Sequence, residues 1–122
     1  MSRHRAYCRF DGHGQHSKFL QSPAKTLTIV VMRIVQARPA GVERIAPLFA
    51  GYLKFYKKRA TPAAVRIFLA DRLRRRESVI FLAFDGRTPV GFVQLYPTWS
   101  SLSLKQLWIL NDLFVVPASR KR

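Results

Sequence analysis

The sequence predicts an α+β domain in which one strand and two helices precede three antiparallel strands. Three observations predict this order. Apolar residues recur at helical spacing from Ile45, and Thr61-Pro62 marks the start of a second helix. Two runs of strand-forming residues, 79–84 and 90–96, flank the hairpin signal Asp85-Gly86. We therefore expect the helices to pack on a sheet built mainly from the second half of the chain.

The first strand and the first helix are predicted within residues 32–56. Met32 to Arg38 has the composition of a strand, and Pro39 suits the first turn of the helix. Pro47 lies inside the helical pattern, and we expect it to kink or shorten the helix because proline donates no backbone hydrogen bond. The apolar stripe of this helix consists of Ile45, Leu48, Phe49, Tyr52, Leu53 and Tyr56.

The second helix is predicted to begin at Thr61, because threonine is a favoured N-cap and Pro62 suits the first helical position. Its inward residues are expected to be Val65, Phe68, Leu69 and Leu73. Most of its arginines lie outside that stripe and cluster toward the end of the helix, where the helix dipole favours cations. We interpret them as a solvated face: Arg66, Arg72, Arg74, Arg75 and Arg76.

Three strands are predicted to follow as a meander. Val79 to Phe84 is the first, and Val90 to Tyr96 pairs back on it through the Asp85-Gly86 turn. A loop over 97–103 is expected to lead into a long third strand, Leu104 to Val116.

Length and charge limit the classes of function. With 122 residues, 48% of them apolar, the chain fits one globular domain. No apolar run reaches the length of a membrane span, so we expect a cytoplasmic protein without membrane partners. The net charge of +16 would attract nucleic acid or an anionic cofactor. Because the basic residues are spread along the chain, nonspecific nucleic-acid binding is expected, and a small basic nucleic-acid-binding protein is the alternative function.

Residues 1–31 differ from the rest of the chain. We expect them to form a flexible N-terminal extension, with 32–122 as the domain and Met32 as an alternative start. The single cysteine excludes an intrachain disulfide. No metal site is predicted, because zinc-finger spacing is absent from the cluster of Cys8, His4, His13 and His16.

Two segments resemble the GCN5-related N-acetyltransferases (GNAT family). They are Val90-Gly91-Phe92 with its hairpin, and the run from Asn111 to Pro117 followed by Arg120. The second matches the start of the family pattern Val-x-Pro-x-x-Arg-x-x-Gly-x-Gly. The resemblance covers 32–122, and its last part is most similar to members related to diamine acetyltransferases. It implies an incomplete GNAT-like fold, truncated before a fifth strand and its covering helix, and an N-acetyltransferase that we expect to be inactive in this form.

The resemblance implies acetyl-CoA as the cosubstrate. Backbone groups of Leu113, Phe114 and Val115 would hold its pantetheine arm, whereas ordinary core strand residues are the other interpretation. Arg120, Lys121 and Arg122 match the start of the turn that binds the CoA pyrophosphate in this family. A frayed basic tail is the other interpretation of these three residues.

The implied acceptor is a primary amine on a small molecule or peptide. Diamine-acetylating relatives carry a glutamate where this chain has Asn111, which cannot take a proton. Asp112 is adjacent, but strict strand alternation points it to the opposite face unless a β-bulge intervenes. Tyr52, Tyr56 and Tyr96 are the candidate residues of an acceptor pocket, and core packing is their alternative role. The family also makes a homodimer possible.

Overall fold

The computed structural model describes residues 31–121, which form two helices on one four-stranded sheet. The predicted α+β architecture is confirmed, with every element in the predicted order. The elements are β1 (Met32–Gln36), α1 (Val42–Phe55), α2 (Pro62–Arg74), β2 (Val79–Asp85), β3 (Thr88–Ser100) and β4 (Lys105–Val115).

The sheet has the order β1-β2-β3-β4, and each neighbouring pair is antiparallel. Sequential order follows from the short connections, since antiparallel neighbours need only a hairpin. Only the link from β1 to β2 is long, and it contains both helices. Within residues 31–121, β4 therefore has a strand partner on one side alone.

The core lies between the helices and one face of the sheet. Ile45 of α1, Leu69 of α2 and Ile80 of β2 are fully buried there. The rings of Phe84 and Phe92 extend the same apolar layer along the sheet. Fully burying one such side chain contributes about 1.5–3 kcal/mol, so this face holds the helices to the sheet.

The helix α1 runs past Pro47 and ends at Phe55, so the expected shortening does not occur. Proline removes one N–H, but the fully buried Ile45 and the buried Leu48 hold this part of α1 against the sheet. The first strand ends at Gln36 and not at Arg38, because a short 3-10 turn containing Pro39 comes before α1.

The start of α2 matches the prediction. The hydroxyl oxygen of Thr61 accepts a hydrogen bond from the N–H of Ala64 at 3.1 Å, and Pro62 is the first helical residue. One inward assignment is wrong: Phe68 is 38% exposed. Its ring packs beside Phe49 and under the guanidinium of Arg72, at the rim of the core.

The predicted loop over 97–103 is also wrong in its first half. The strand β3 continues to Ser100 and pairs with β4 as far as Lys105, so the turn occupies 101–104. The pairing of β3 with β2 stops at Leu95. Beyond Leu95, one edge of β3 has no strand partner within the described part of the chain. Proline is tolerated at such an edge, so Pro97 fits in the strand although it has no backbone N–H.

Two further features bear on function. In residues 31–121 neither helix has the length and apolarity needed to cross a membrane. Across the same residues, no three His, Cys, Asp or Glu side chains are grouped to hold a metal ion. The histidines and the cysteine of the sequence lie outside the described residues, as does the proposed extension apart from Val31.

Candidate active site

A β-bulge lies in β4 at Asn111. Gln94 pairs with Asp112 and Leu95 pairs with Leu110, so Asn111 is the extra residue on the β4 side. Cross-strand partners share a face of the sheet, which puts Asp112 and Gln94 together on the face that carries the helices. The bulge shifts the alternation of side chains along β4 by one residue. From the sequence, Asp112 is expected on the opposite face unless a β-bulge intervenes, and the bulge is present.

The carboxylate of Asp112 is buried and accepts hydrogen bonds from three side chains. Tyr52 donates to Oδ1 at 2.6 Å, and Asn111 donates to the same oxygen at 2.9 Å. Gln94 donates to Oδ2 at 2.7 Å and is itself fully buried. A buried carboxylate is costly unless its oxygens are satisfied, and three donors satisfy them here.

No cation balances this carboxylate within residues 31–121. The ion pairs there are Arg66 with Glu43 and Arg72 with Glu77, both at the surface of the helices. Asp112 is instead held by neutral donors at 5% exposure. A buried anion of this kind creates a negative local potential, which favours the approach of a positively charged or N–H-rich group.

The tyrosines assigned to the acceptor pocket lie around Asp112. The rings of Tyr52 and Tyr56 contact edge to face with centroids 5.0 Å apart. The hydrogen bond to Asp112, followed by burial, raises the pKa of Tyr52 above its usual value. Burial, followed by the charge of Asp112, raises the pKa of Tyr96. Both phenols therefore stay protonated at neutral pH, and their acceptor role stays a prediction.

Gln94 is a member of this cluster that the sequence reasoning missed. It is the single polar residue in the apolar run from Val90 to Leu95, which is the signal that could have found it. Its Nε2 is held by Asp112, whereas its Oε1 is buried without a hydrogen-bond partner among the described residues. A buried amide oxygen without a partner is uncommon, so this position lacks one N–H or O–H donor among the described residues.

The free edge of β4 carries the backbone groups assigned to acetyl-CoA. The N–H of Val116 donates to the Val90 carbonyl at 2.8 Å, so alternation directs Phe114 toward β3 and Leu113 and Val115 outward. The Val115 carbonyl is indeed at the edge, since Arg120 donates to it at 2.8 Å. The N–H groups available for a ligand are thus those of Leu113 and Val115, and Phe114 contributes its buried ring.

Arg120 folds back on the end of β4 and does not extend as a tail. Its guanidinium lies 5.6 Å from the ring centroid of Phe114 and 5.7 Å from that of Phe55. These contacts hold a cation at the end of the free edge. Lys121 is exposed beside it with a left-handed backbone, and Arg122 lies outside the described residues.

Similar proteins are named as acetyltransferases. No family model matches the chain. It is 46% identical over 91 residues to YhfO of Bacillus subtilis, an uncharacterized N-acetyltransferase, covering 75% of this chain and 61% of that protein. It is 37% identical over 86 residues to a probable acetyltransferase of Haemophilus influenzae, covering 70% of this chain and 59% of that protein.

A solved structure is also similar to this chain. The crystal structure of a probable acetyltransferase aligns with a TM-score of 0.69 at 50% identity, covering 73% of this chain and 60% of that one. The chain has a GNAT-like fold and is similar in sequence to acetyltransferases. It spans about three fifths of the length of the curated relatives it matches, 61% and 59%, and a similar share of the matched structure.

The strand β4 combines two kinds of group within five residues. Outward N–H groups at Leu113 and Val115 are donors for a developing negative charge on an acyl oxygen. The carboxylate of Asp112 is an acceptor on the helix face, next to the bulge. A donor edge beside a proton acceptor is the arrangement that acyl transfer to an amine needs.

Proposed function

We propose that the chain carries the acyl-CoA edge and part of the acceptor site of an N-acetyltransferase. The reaction moves an acetyl group from acetyl-CoA to a primary amine on a small molecule or peptide. The observation that supports it best is the buried Asp112 carboxylate next to the outward N–H groups of β4. Similarity to acetyltransferases supports acetyl-CoA as the cosubstrate.

The outward groups of Leu113 and Val115 suit the pantetheine arm of acetyl-CoA. This arm is extended and contains amides, so it binds a free strand edge much as an added strand does. An N–H at this edge also polarises the thioester carbonyl and stabilises the oxyanion that forms on it. Phe114 supports both positions by anchoring β4 in the core, where its ring lies 6.4 Å from that of Phe92.

Tyr52 and Asp112 form the proposed route for the proton. The bound ammonium first gives one proton to solvent. As the neutral amine nitrogen then bonds to the acetyl carbon, the carbon–sulfur bond breaks and the nitrogen loses its second proton. The half-buried Tyr52 hydroxyl accepts this proton and passes its own to Asp112, 2.6 Å away. The released CoA thiolate takes up a proton from solvent. Asn111 cannot take the proton, and its role is to accept a hydrogen bond from the amine and orient it.

The rings of Tyr56 and Tyr96 complete the proposed acceptor site. Aromatic faces beside a carboxylate suit an amine, which arrives protonated and is attracted to both. At the other end of the site, Arg120, Lys121 and Arg122 are proposed to contact the phosphates of CoA. Arg120 already lies at the end of the β4 edge, where a ligand on that edge would extend.

Calorimetric titration of the chain with acetyl-CoA tests the proposal. We expect a micromolar complex, weakened at least about tenfold in Leu113→Pro, because proline removes one edge N–H. Proline is tolerated at this position because the lost N–H has no strand partner. Leu113→Ala is the matched control, since it removes the side chain and keeps the N–H. Absence of binding up to about 1 mM acetyl-CoA, or equal affinities of the two variants, would contradict the proposal.

A further inference from the structure

A cavity lies at the connection between α1 and α2, and its lining contains none of the residues placed in the proposed acetyl-transfer site. Its volume is about 610 Å³, within the range of small-molecule sites. Four basic residues line it, together with small apolar side chains and Leu53: Lys54, Lys57, Lys58 and Arg59. Among the described residues, none that lines this cavity is acidic.

The chain turns sharply at this point. Lys57 has a left-handed backbone with φ of 57°, a conformation for which glycine is the usual residue after a helix. The N–H of Lys57 donates to the Lys54 carbonyl at 3.0 Å, and that of Lys58 donates to the Leu53 carbonyl at 2.9 Å. These backbone N–H groups are thus occupied in closing the helix, which leaves the basic side chains as the donors that face the cavity.

These four basic residues have no ion-pair partner among residues 31–121. Among residues 31–121, the ion pairs involve Arg66 and Arg72 and none of the residues of this cavity. The dipole of α1 favours Lys54, which lies in its last turn, but its effect does not reach Arg59. Like charges gathered around one concavity repel one another, and a bound anion removes that repulsion.

We propose that this cavity binds a phosphate-bearing organic anion. Arginine binds phosphate oxygens with two parallel hydrogen bonds, and lysines add point charges around them. Ala50, Leu53 and Ala60 offer apolar surface to the organic part of the ligand. Tyr52 and Phe49 project from another face of α1, toward the sheet, so the site is separate from Asp112 and does not depend on acetyl transfer. The phosphate belongs either to a small molecule or to a nucleic-acid backbone.

Two variants of equal charge test the site. In the site variant, Lys57, Lys58 and Arg59 are changed to Gln, and in the control variant Arg74, Arg75 and Arg76 are changed to Gln. Each loses three charges at the end of a helix, and each includes one left-handed residue, Lys57 or Arg76. The probes are inorganic pyrophosphate, measured by calorimetry, and a single-stranded oligonucleotide of about 12 nucleotides, measured by fluorescence anisotropy.

We expect the site variant to lose affinity at least about tenfold and the control variant less than about threefold. For the oligonucleotide, the slope of log K against log salt falls by about 2 in the site variant, as loss of three phosphate contacts requires. If the site variant loses affinity for pyrophosphate, a small phosphate-bearing anion is sufficient to occupy the cavity. If it loses affinity for the oligonucleotide alone, the ligand is a nucleic-acid backbone. Equal losses in both variants, or no binding of either probe, would overturn the proposal. The single change Lys58→Glu repeats the test if the triple variant does not fold.

Discussion

The hydroxyl of Tyr52 donates to the carboxylate of Asp112 at 2.6 Å, joining residues 60 positions apart in the chain. This hydrogen bond connects the second half of α1 to the bulge of β4. The Tyr52 ring also contacts Phe92 of β3 edge to face, so the bond is formed within a packed aromatic cluster. The hydrogen bond and the ring contacts thereby fix the position of α1 relative to β4 at the candidate active site.

Removing the Asp112 carboxylate should destabilise the fold. In Asp112→Ala the donors of Tyr52, Gln94 and Asn111 lose their acceptor, and Gln94 is fully buried. Each buried donor left unsatisfied costs about 1–3 kcal/mol, so we expect a loss of roughly 2–4 kcal/mol in urea unfolding. Asn111→Ala is the control, because Asn111 is exposed and its loss leaves two donors on the carboxylate. Equal stabilities of the two variants would count against a structural role for Asp112.

Alkaline pH should weaken the fold through Tyr52 and Tyr96. The folded state raises the pKa of each phenol above the ordinary value of 10.0, so the unfolded chain releases these protons first. Their contribution to stability is complete below pH 10.0 and is lost as the pH rises through the folded-state pKa. Phenolate absorbance should show that Tyr52 ionises at a higher pH than an exposed tyrosine. In Asp112→Asn, the pH at which Tyr52 ionises should be lower than in the unchanged protein. An unchanged titration in that variant would remove Asp112 as the cause.

Gly91 should not accept a side chain. A Cβ atom built there would lie 2.8 Å from the backbone oxygen of Phe114, which cannot move without disturbing the pairing of β3 with β4. We expect Gly91→Ala to cost about 1–3 kcal/mol in the free energy of unfolding. Gly41→Ala is the control, since nothing lies within 4 Å of its Cβ position. A Gly91→Ala protein as stable as the control would contradict the close approach of the two strands at this position.

The outer part of β4 should promote self-association. Trp108, Ile109 and Leu110 are each at least half exposed, on an edge without a strand partner within residues 31–121. Apolar side chains on a free edge favour pairing between chains, and a charge in the middle of the edge opposes it. Ile109→Lys should therefore lower the apparent mass in light scattering, whereas Arg87→Lys, which changes no charge, should not. Identical scattering of both variants would place the association elsewhere.

The order of the elements could be predicted because each is specified locally. Helical periodicity marks α1, Thr61-Pro62 starts α2, and Asp85-Gly86 joins β2 to β3. The extension of β3 through Pro97 could not be predicted, since proline, threonine and serine favour a loop when considered alone. Pairing with β4 on one side and the absence of a partner on the other decide that segment, and both are tertiary effects.

The candidate site was only partly predictable, for a similar reason. Family resemblance pointed to Tyr52, Tyr56 and Tyr96, and the fold brings Tyr52 against Asp112. No local pattern specifies that Asn111 is skipped in the pairing of β4 with β3. Because the position of the bulge decides which face Asp112 occupies, the role of that carboxylate depended on information that the sequence of β4 alone does not contain.

The bulge at Asn111 also has an evolutionary consequence. It divides β4 into residues 105–110, which pair with the end of β3, and residues 112–115. The alternation of side chains between the two faces of the sheet is set separately in each segment. Substitutions that rewrite the pattern of residues 105–110 leave the orientation of residues 112–115 unchanged. The exposed hairpin can thus change in sequence without altering the orientation of the groups proposed to act in acetyl transfer.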